Sequence, residues 1–181
     1  HKSVRGSDPD AALYYLARML DAGEPPLYIC RRVVRMAIED IGLADPQALV
    51  IANAAKEAYD FLGSPEGELA IAQAVLYVAT APKSNAGYAA YGAAKAIAKS
   101  AGSLVPPKHI LNAPTNLMKS EGYGRGYTYD HDTEEAFSGQ NYFPDALPRQ
   151  QFYNPPERGF EREIKKRLDY WAKLRKERGG E

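Results

Sequence analysis

Prolines that directly follow helix-capping side chains constrain the fold of this sequence more than any other feature. The pattern occurs at Asp8-Pro9, Asp45-Pro46, Ser64-Pro65, Asn154-Pro155 and, with a weaker cap, Pro25-Pro26. Asp, Ser and Asn side chains accept a hydrogen bond from an unpaired N–H at a helix start, and proline suits the first helical position. Helices commonly end at a left-handed glycine, and such glycines follow at Gly23, Gly42, Gly63 and Gly102. The alternation predicts helices with short connections through the first hundred residues.

Hydrophobic periodicity agrees with these helix boundaries. After Pro26, a predicted buried stripe repeats every three or four residues at Leu27, Cys30, Val34, Ala37, Ile38 and Ile41. The next segment has the same spacing at Leu49, Ala52, Ala55, Tyr59 and Leu62. Residues 65–81 and 84–100 are rich in alanine and nearly uncharged, which predicts helices buried on more than one side. No segment alternates like a strand, so we expect an all-α bundle of about five helices over residues 1–103.

The second part of the chain, residues 104–181, is predicted to be irregular and rich in Tyr, Pro and Gly. Only short helices fit between its prolines, at about 114–120 and 133–137. A basic amphipathic helix is expected to follow Asn154, with an apolar stripe at Phe160, Ile164, Leu168, Trp171 and Leu174. We expect this part to pack on the same unit as residues 1–103.

Composition excludes several classes of protein. The 23 basic and 23 acidic residues balance, which argues against a domain that mainly coats nucleic acid. A single cysteine, Cys30, excludes an internal disulfide and a cysteine-based zinc site. No run approaches the roughly 20 apolar residues of a membrane span. Because the sequence opens at His1 and its first methionine is Met19, we expect a domain of a longer protein.

Motifs that carry catalysis are scarce, so we predict no catalytic, cofactor or metal site. There is no Walker A motif, His-Glu-x-x-His motif or nucleophile elbow. His131 lies between Asp130 and Asp132, which we interpret as solvated loop charges. Glu39-Asp40 is interpreted as a salt bridge to a neighbouring arginine. The alternative of a small helical enzyme requires His109, His131 and the Glu39-Asp40 pair to converge in one pocket.

Aromatic and cationic residues interleave in one loop, at Tyr123, Arg125, Tyr127 and Tyr129, and Lys119 lies upstream of it. Its glycines fail the dinucleotide-binding fingerprint because position 127 is Tyr. Three interpretations stay open: packing within the chain or between its copies, an interface with another partner, and stacking of single-stranded DNA bases. The basic residues of the last helix are compatible with a solvated face or with a phosphate-facing stripe.

Ordered blocks along the whole chain resemble one known family. They are 2–12 (KSVRGSDPDAA), 27–32 (LYICRR), 39–42 (EDIG), 63–67 (GSPEG), 81–85 (APKSN), 112–115 (NAPT), 122–124 (GYG) and 140–142 (QNY). This is similar to the C-terminal region of the replication-associated recombination protein A family (RarA, or MgsA), whose eukaryotic relatives are the Werner helicase-interacting proteins. Cys30 and Ile38 depart from the resemblance, because small residues are expected there.

The resemblance implies a homotetramerisation domain, similar to a clamp-loader collar, within a cytoplasmic, nucleoid-associated AAA+ ATPase. That ATPase would act in replication-fork maintenance, recombination and repair, with replication-fork proteins and single-stranded DNA as partners and no membrane. ATP and Mg²⁺ would bind to the longer protein and not to this chain. The candidate DNA or interface contacts are Tyr123, Arg125, Tyr127, Tyr129, Lys119, Lys83 and Asn85. A single-stranded DNA-binding module is the alternative function.

Overall fold

A computed structural model describes residues 1–179, and these residues form helices, turns and loops without a β-strand. The helices are α1 (Lys2–Arg5), α2 (Pro9–Asp21), α3 (Pro26–Met36), α4 (Gln47–Leu62), α5 (Glu68–Thr80), α6 (Ala86–Ala101), α7 (Asn116–Ser120) and α8 (Glu161–Glu177). Helix α3 continues through a π-helical turn, Ala37–Ile41, and a 3-10 turn, Gly42–Ala44. The predicted all-α fold is therefore confirmed.

The chain divides into two compact units. The first comprises His1–Tyr91 and Tyr153–Lys165, and the second comprises Gly92–Phe152 and the chain from Lys166 onward. The boundary after Tyr91 lies inside α6, and the boundary after Lys165 lies inside α8. The predicted domain boundary at residue 103 stays a prediction.

The helix boundaries follow the predicted caps at some positions and not at others. Asp8 Oδ1 accepts a hydrogen bond from Ala11 N at 2.9 Å, directly before Pro9. All four predicted terminal glycines have positive φ angles. The predicted start at Ser64-Pro65 is wrong: α5 begins at Glu68, because residues 63–67 form turns in which Gly67 N donates to Gly63 O at 2.6 Å.

The predicted start of the last helix after Asn154 is also wrong, since α8 begins at Glu161. Before the helix, the chain is held against the connection between α3 and α4. Phe160 N donates to Ala44 O at 2.7 Å, and Gly159 has a φ of +51°. A helix starting at residue 155 would give this backbone N–H an intrahelical partner instead.

The core of the first unit is built around α5, which packs against α1, α2, α3 and α4. Its most deeply buried side chains include Ile41, Ile71 and Val78. The predicted stripe on α3 is partly wrong: Ile29 and Val33 are buried, whereas Leu27 and Ile38 are exposed. Apolar residues occupy two adjacent faces of α3, and the packing against α4 and α5 selects the one that includes Ile29 and Val33.

The two alanine-rich segments behave differently. Helix α5 buries Ile71, Ala74, Val75, Val78 and Ala79, as the sequence predicts. Helix α6 has no buried residue, so its predicted burial on several faces is wrong for the single chain. Alanine allows close packing but does not require it, because its methyl group contributes little hydrophobic free energy.

The second unit contains α7 and an irregular segment fixed by side chains. Thr115 Oγ1 caps α7 by accepting a hydrogen bond from Met118 N at 3.2 Å. The predicted short helix at 133–137 is absent, because Asp130 Oδ1 accepts from Ser138 N at 2.7 Å and draws the chain into turns. The rings of Phe137 and Trp171 stack with centroids 6.2 Å apart.

Candidate functional site

The π-helical turn after α3 presents two neighbouring carboxylates, Glu39 and Asp40, to arginines of the first unit. Arg5 Nε donates to Asp40 Oδ1 at 2.6 Å, and Arg35 Nε donates to Glu39 Oε2 at 2.7 Å. Asp40 is buried, and His1 Nε2 lies 2.6 Å from its Oδ2. A buried carboxylate requires such partners because its transfer from water is costly. The predicted salt bridge to a neighbouring arginine is confirmed.

Two adjoining pockets flank these carboxylates and share Glu39 and Tyr88, and we call them together the arginine groove. One pocket, of about 510 Å³, is lined by Tyr28, Arg31, Arg32, Val34, Arg35, Ile38, Glu39 and Tyr88. The other, of about 370 Å³, is lined by Arg5, Glu39, Asp40, Lys83, Ser84, Asn85, Tyr88 and Arg158. Six cationic side chains therefore face two carboxylates, which gives the groove a positive balance.

The candidate residues Lys83 and Asn85 both line the arginine groove. Lys83 Nζ donates to Ala79 O at 2.9 Å and to Ala81 O at 2.6 Å, at the carboxyl end of α5. This cation satisfies carbonyls that lack helical partners. Burial lowers the pKa of the Lys83 ammonium, whereas the Asp40 carboxylate raises it. Asn85 is exposed just before α6.

The other five candidates lie in the second unit: Lys119 lies in α7, and the remaining four lie on the loop that follows it. Arg125, Tyr127, Tyr129 and Lys119 are exposed, and Tyr123 is half-buried. The three glycines at 122, 124 and 126 all have positive φ, so the chain turns at every second residue. Gln140 holds the loop: its Nε2 donates to Gly126 O at 2.7 Å, and its Oε1 accepts from Thr128 N at 3.1 Å.

A third pocket, of about 590 Å³, lies beside this loop and is lined by His109, Ile110, Leu111, Asn112, Ala113, Gly124, Tyr127 and Tyr142. The Nε2 atom of His109 is buried and has no hydrogen-bond partner among the described residues. Neither carboxylate of the arginine groove lines this pocket. The enzyme alternative requires His109, His131 and Glu39-Asp40 in one pocket, and His109 is the only one of these residues that lines this one.

The acidic residue before His131 has a structural role, which corrects the interpretation of Asp130 as a solvated charge. Its carboxylate accepts hydrogen bonds from Ser138 N at 2.7 Å and from Tyr142 Oη at 3.0 Å. These hydrogen bonds, the one from Ser138 above all, lower the pKa of Asp130 because they favour the charged form. Within residues 1–179, no three His, Cys, Asp or Glu side chains are grouped so as to hold a metal ion.

Most residues of the arginine groove were not predicted from the sequence. The arginines after Cys30 are not among the predicted contact residues, and neither are Tyr28 and Tyr88. The adjacent pair Arg31-Arg32, three residues after Tyr28, was the available signal. Arg158 carried no signal, because it reaches the groove only through the irregular segment before α8.

The fold places this chain among all-helical domains, and comparison with known proteins identifies which kind. The family model described as "MgsA AAA+ ATPase C terminal" matches residues 6–172, so the chain belongs to that family. No helix within residues 1–179 is long and apolar enough to cross a membrane.

Curated relatives agree with this assignment. The chain is 57% identical over 175 residues to replication-associated recombination protein A of Coxiella burnetii, covering 96% of the chain and 40% of the relative. It is 49% identical over 173 residues to the Escherichia coli protein of the same name, covering 95% and 39%. Identity to the ATPase WRNIP1 of Dictyostelium discoideum is 45% over 154 residues, covering 84% and 18%. The chain thus spans about 40% of the length of the two bacterial relatives.

Proposed function

We propose that this chain is the homotetramerisation domain of a clamp-loader-like AAA+ ATPase that acts in replication-fork maintenance, recombination and repair. Membership of the AAA+ C-terminal family supports the ATPase context, and the names of the bacterial relatives support the replication and recombination context. The observation that carries the assembly role is an exposed apolar surface on α4 and α5.

This surface, which we call the α4–α5 face, comprises Val50, Phe61, Leu69 and Leu76. Phe61 is 87% exposed and Leu69 is 76% exposed, and they lie on either side of the short connection between the two helices. On α4, Val50 and Phe61 lie on the side opposite the buried residues 48, 52 and 55, and Ala54 and Glu57 lie between them on the same side. Large apolar side chains exposed on two helices that pack against each other are candidates for an interaction site.

The free energy gained by burying one large apolar side chain is large enough to test this face by single substitutions. Covering a Leu or Phe side chain is worth about 1.5–3 kcal/mol, which corresponds to at least tenfold in an association constant. An aromatic residue at the centre of an interface commonly contributes more than its neighbours. Replacing Phe61 by a polar residue is therefore expected to weaken assembly measurably while leaving the core of the first unit intact.

Multi-angle light scattering at micromolar concentration tests the proposal with Phe61→Ser and Leu69→Ser. Leu117→Ser is the matched control, because Leu117 is similarly exposed but lies in the second unit. We expect both variants of the α4–α5 face to shift toward monomer, with unchanged helical circular dichroism and no shift for the control. If Phe61→Ser and Leu69→Ser keep the mass of the unaltered chain, this face is not the subunit interface.

The proposal assigns ATP and Mg²⁺ binding to another part of the longer protein, together with the contacts to replication-fork proteins. It also places that protein in the cytoplasm beside the nucleoid. The chain itself is then expected to hydrolyse no ATP above a buffer blank in a phosphate-release assay with Mg²⁺. Turnover that EDTA abolishes and that co-purifies with the chain through two orthogonal columns would contradict this assignment.

A further inference from the structure

The arginine groove has the chemistry of a binding site, because some of its arginines are not paired with its two carboxylates. Glu39 and Asp40 are each paired with an arginine, Arg35 and Arg5 respectively. In contrast, Arg31 and Arg158 have no ion pair or side-chain hydrogen bond among the described residues. These two arginines line different pockets of the groove, so an unpaired cation lies on each side of the carboxylates.

Aromatic rings accompany these cations. Tyr88 is 58% exposed and lines both pockets, and Tyr28, also exposed, lines the pocket that contains Arg31. A groove that combines cations for a phosphate backbone with rings for bases is the usual arrangement for binding single-stranded nucleic acid. We propose that the arginine groove binds single-stranded nucleic acid, with Arg31 and Arg158 contacting phosphates and Tyr28 and Tyr88 stacking on bases.

The dimensions fit a short stretch of one strand. Residues 28, 31, 32, 35 and 39 recur on one side of α3 and the turn that follows it, all lining the same pocket. From residue 28 to 39 the helix rises about 16 Å. That length accommodates at most about five nucleotides at roughly 3.4 Å each. A groove of this length is a local site, and a longer strand would extend beyond it.

An acidic peptide is the competing ligand, since it too would be attracted by the arginines. The two exposed rings favour the nucleic acid, because every base has a face for stacking whereas Asp and Glu side chains do not. The exposed loop at Arg125 is the competing location. However, its backbone is hydrogen-bonded to Gln140, and the loop has one arginine. This inference does not depend on assembly, because the groove is formed within the first unit of a single chain.

Fluorescence anisotropy with a labelled oligothymidine of about 15 nucleotides, long enough for one site, tests the groove. The variants are Arg31→Ala and Tyr88→Ala, and their matched controls are Arg18→Ala and Tyr14→Ala, which are comparably exposed on α2. We expect Tyr88→Ala to weaken binding about tenfold, Tyr88→Phe to retain it, and both controls to bind normally. Arg31→Ala should also make the slope of log affinity against log salt about 0.7 shallower.

Several results would overturn the groove as the site. They are no oligothymidine binding by the unaltered chain, equal binding by Arg31→Ala and Arg18→Ala, and loss of binding in Arg125→Ala alone. A labelled poly-glutamate peptide that binds as tightly and is lost in Arg31→Ala would assign the groove to acidic peptides instead. Light scattering on the same samples separates these outcomes from a change in assembly, because the groove variants keep the α4–α5 face intact.

Discussion

Gly159 is the residue whose substitution tests the packing of the first unit most sharply. It lies next to Arg158, where the segment before α8 meets Ala44 and Pro82. A Cβ at this position would overlap Ala44 O and would lie 2.7 Å from Pro82 Cγ. Its φ of +51° also places the backbone in the left-handed region. The change Gly159→Ala therefore combines backbone strain with a steric overlap.

The two contributions can be estimated separately. Left-handed conformation costs a non-glycine residue about 1–2 kcal/mol. Inserting a methyl group against packed backbone typically costs a further 1–3 kcal/mol. The free energy of unfolding is therefore expected to fall by about 2–5 kcal/mol in Gly159→Ala. Gly23→Ala is the matched control: Gly23 has a φ of +83°, but nothing lies within 4 Å of its added Cβ.

Urea unfolding followed by circular dichroism measures both variants under identical conditions. We expect Gly159→Ala to lose more free energy of unfolding than Gly23→Ala, and the difference isolates the overlap with Ala44. The Phe160 N to Ala44 O hydrogen bond should lengthen or break as well. Equal destabilisation of the two variants would refute the close approach of these segments.

Two further predictions concern a core side chain and a titrating group. Ile71→Ala should lower the free energy of unfolding by about 2–5 kcal/mol, because Ile71 is buried in the core. The control Val105→Ala, at an exposed position, should change the free energy of unfolding by less than about 0.5 kcal/mol in the same urea titration. Asp130 has a folded-state pKa below its ordinary value of 3.8. Its charged form therefore stabilises the fold at pH values above 3.8. This stabilisation is lost as the pH falls through the lower folded-state pKa. The stability difference between the unaltered chain and Asp130→Asn should therefore shrink between neutral pH and pH values below about 3.8, and a difference independent of pH would contradict this role.

The fold class was predictable because residues at the helix ends themselves determine several of the helix boundaries in this sequence. Asp8 before Pro9 and the glycine at 23 act on their own helix ends, and both behave as predicted. The face of α3 that is buried was not predictable, because apolar residues occur on two sides and only contact with α4 and α5 selects one. Helix α6 shows the same limit: its alanines permit burial, but the single chain leaves every residue at least partly exposed.

The candidate site was less accessible from the sequence than the fold. Lys83 and Asn85 were identified through the family resemblance, and the structure places both in the arginine groove. Arg158, by contrast, is more than seventy positions from Lys83 along the chain and joins it only through tertiary packing. The salt bridge at Glu39-Asp40 was predictable in kind, because carboxylates at a helix carboxyl end require a cation. Its partner Arg5 was not.

The central claim is that this chain forms a homotetramer, and sedimentation equilibrium of the unaltered chain tests it most directly. Four copies of a 19.9 kDa chain give an expected mass of about 80 kDa. We expect this mass at micromolar concentration, with dissociation on dilution following a monomer–tetramer equilibrium. A mass that stays at 19.9 kDa at every concentration measured would contradict the account.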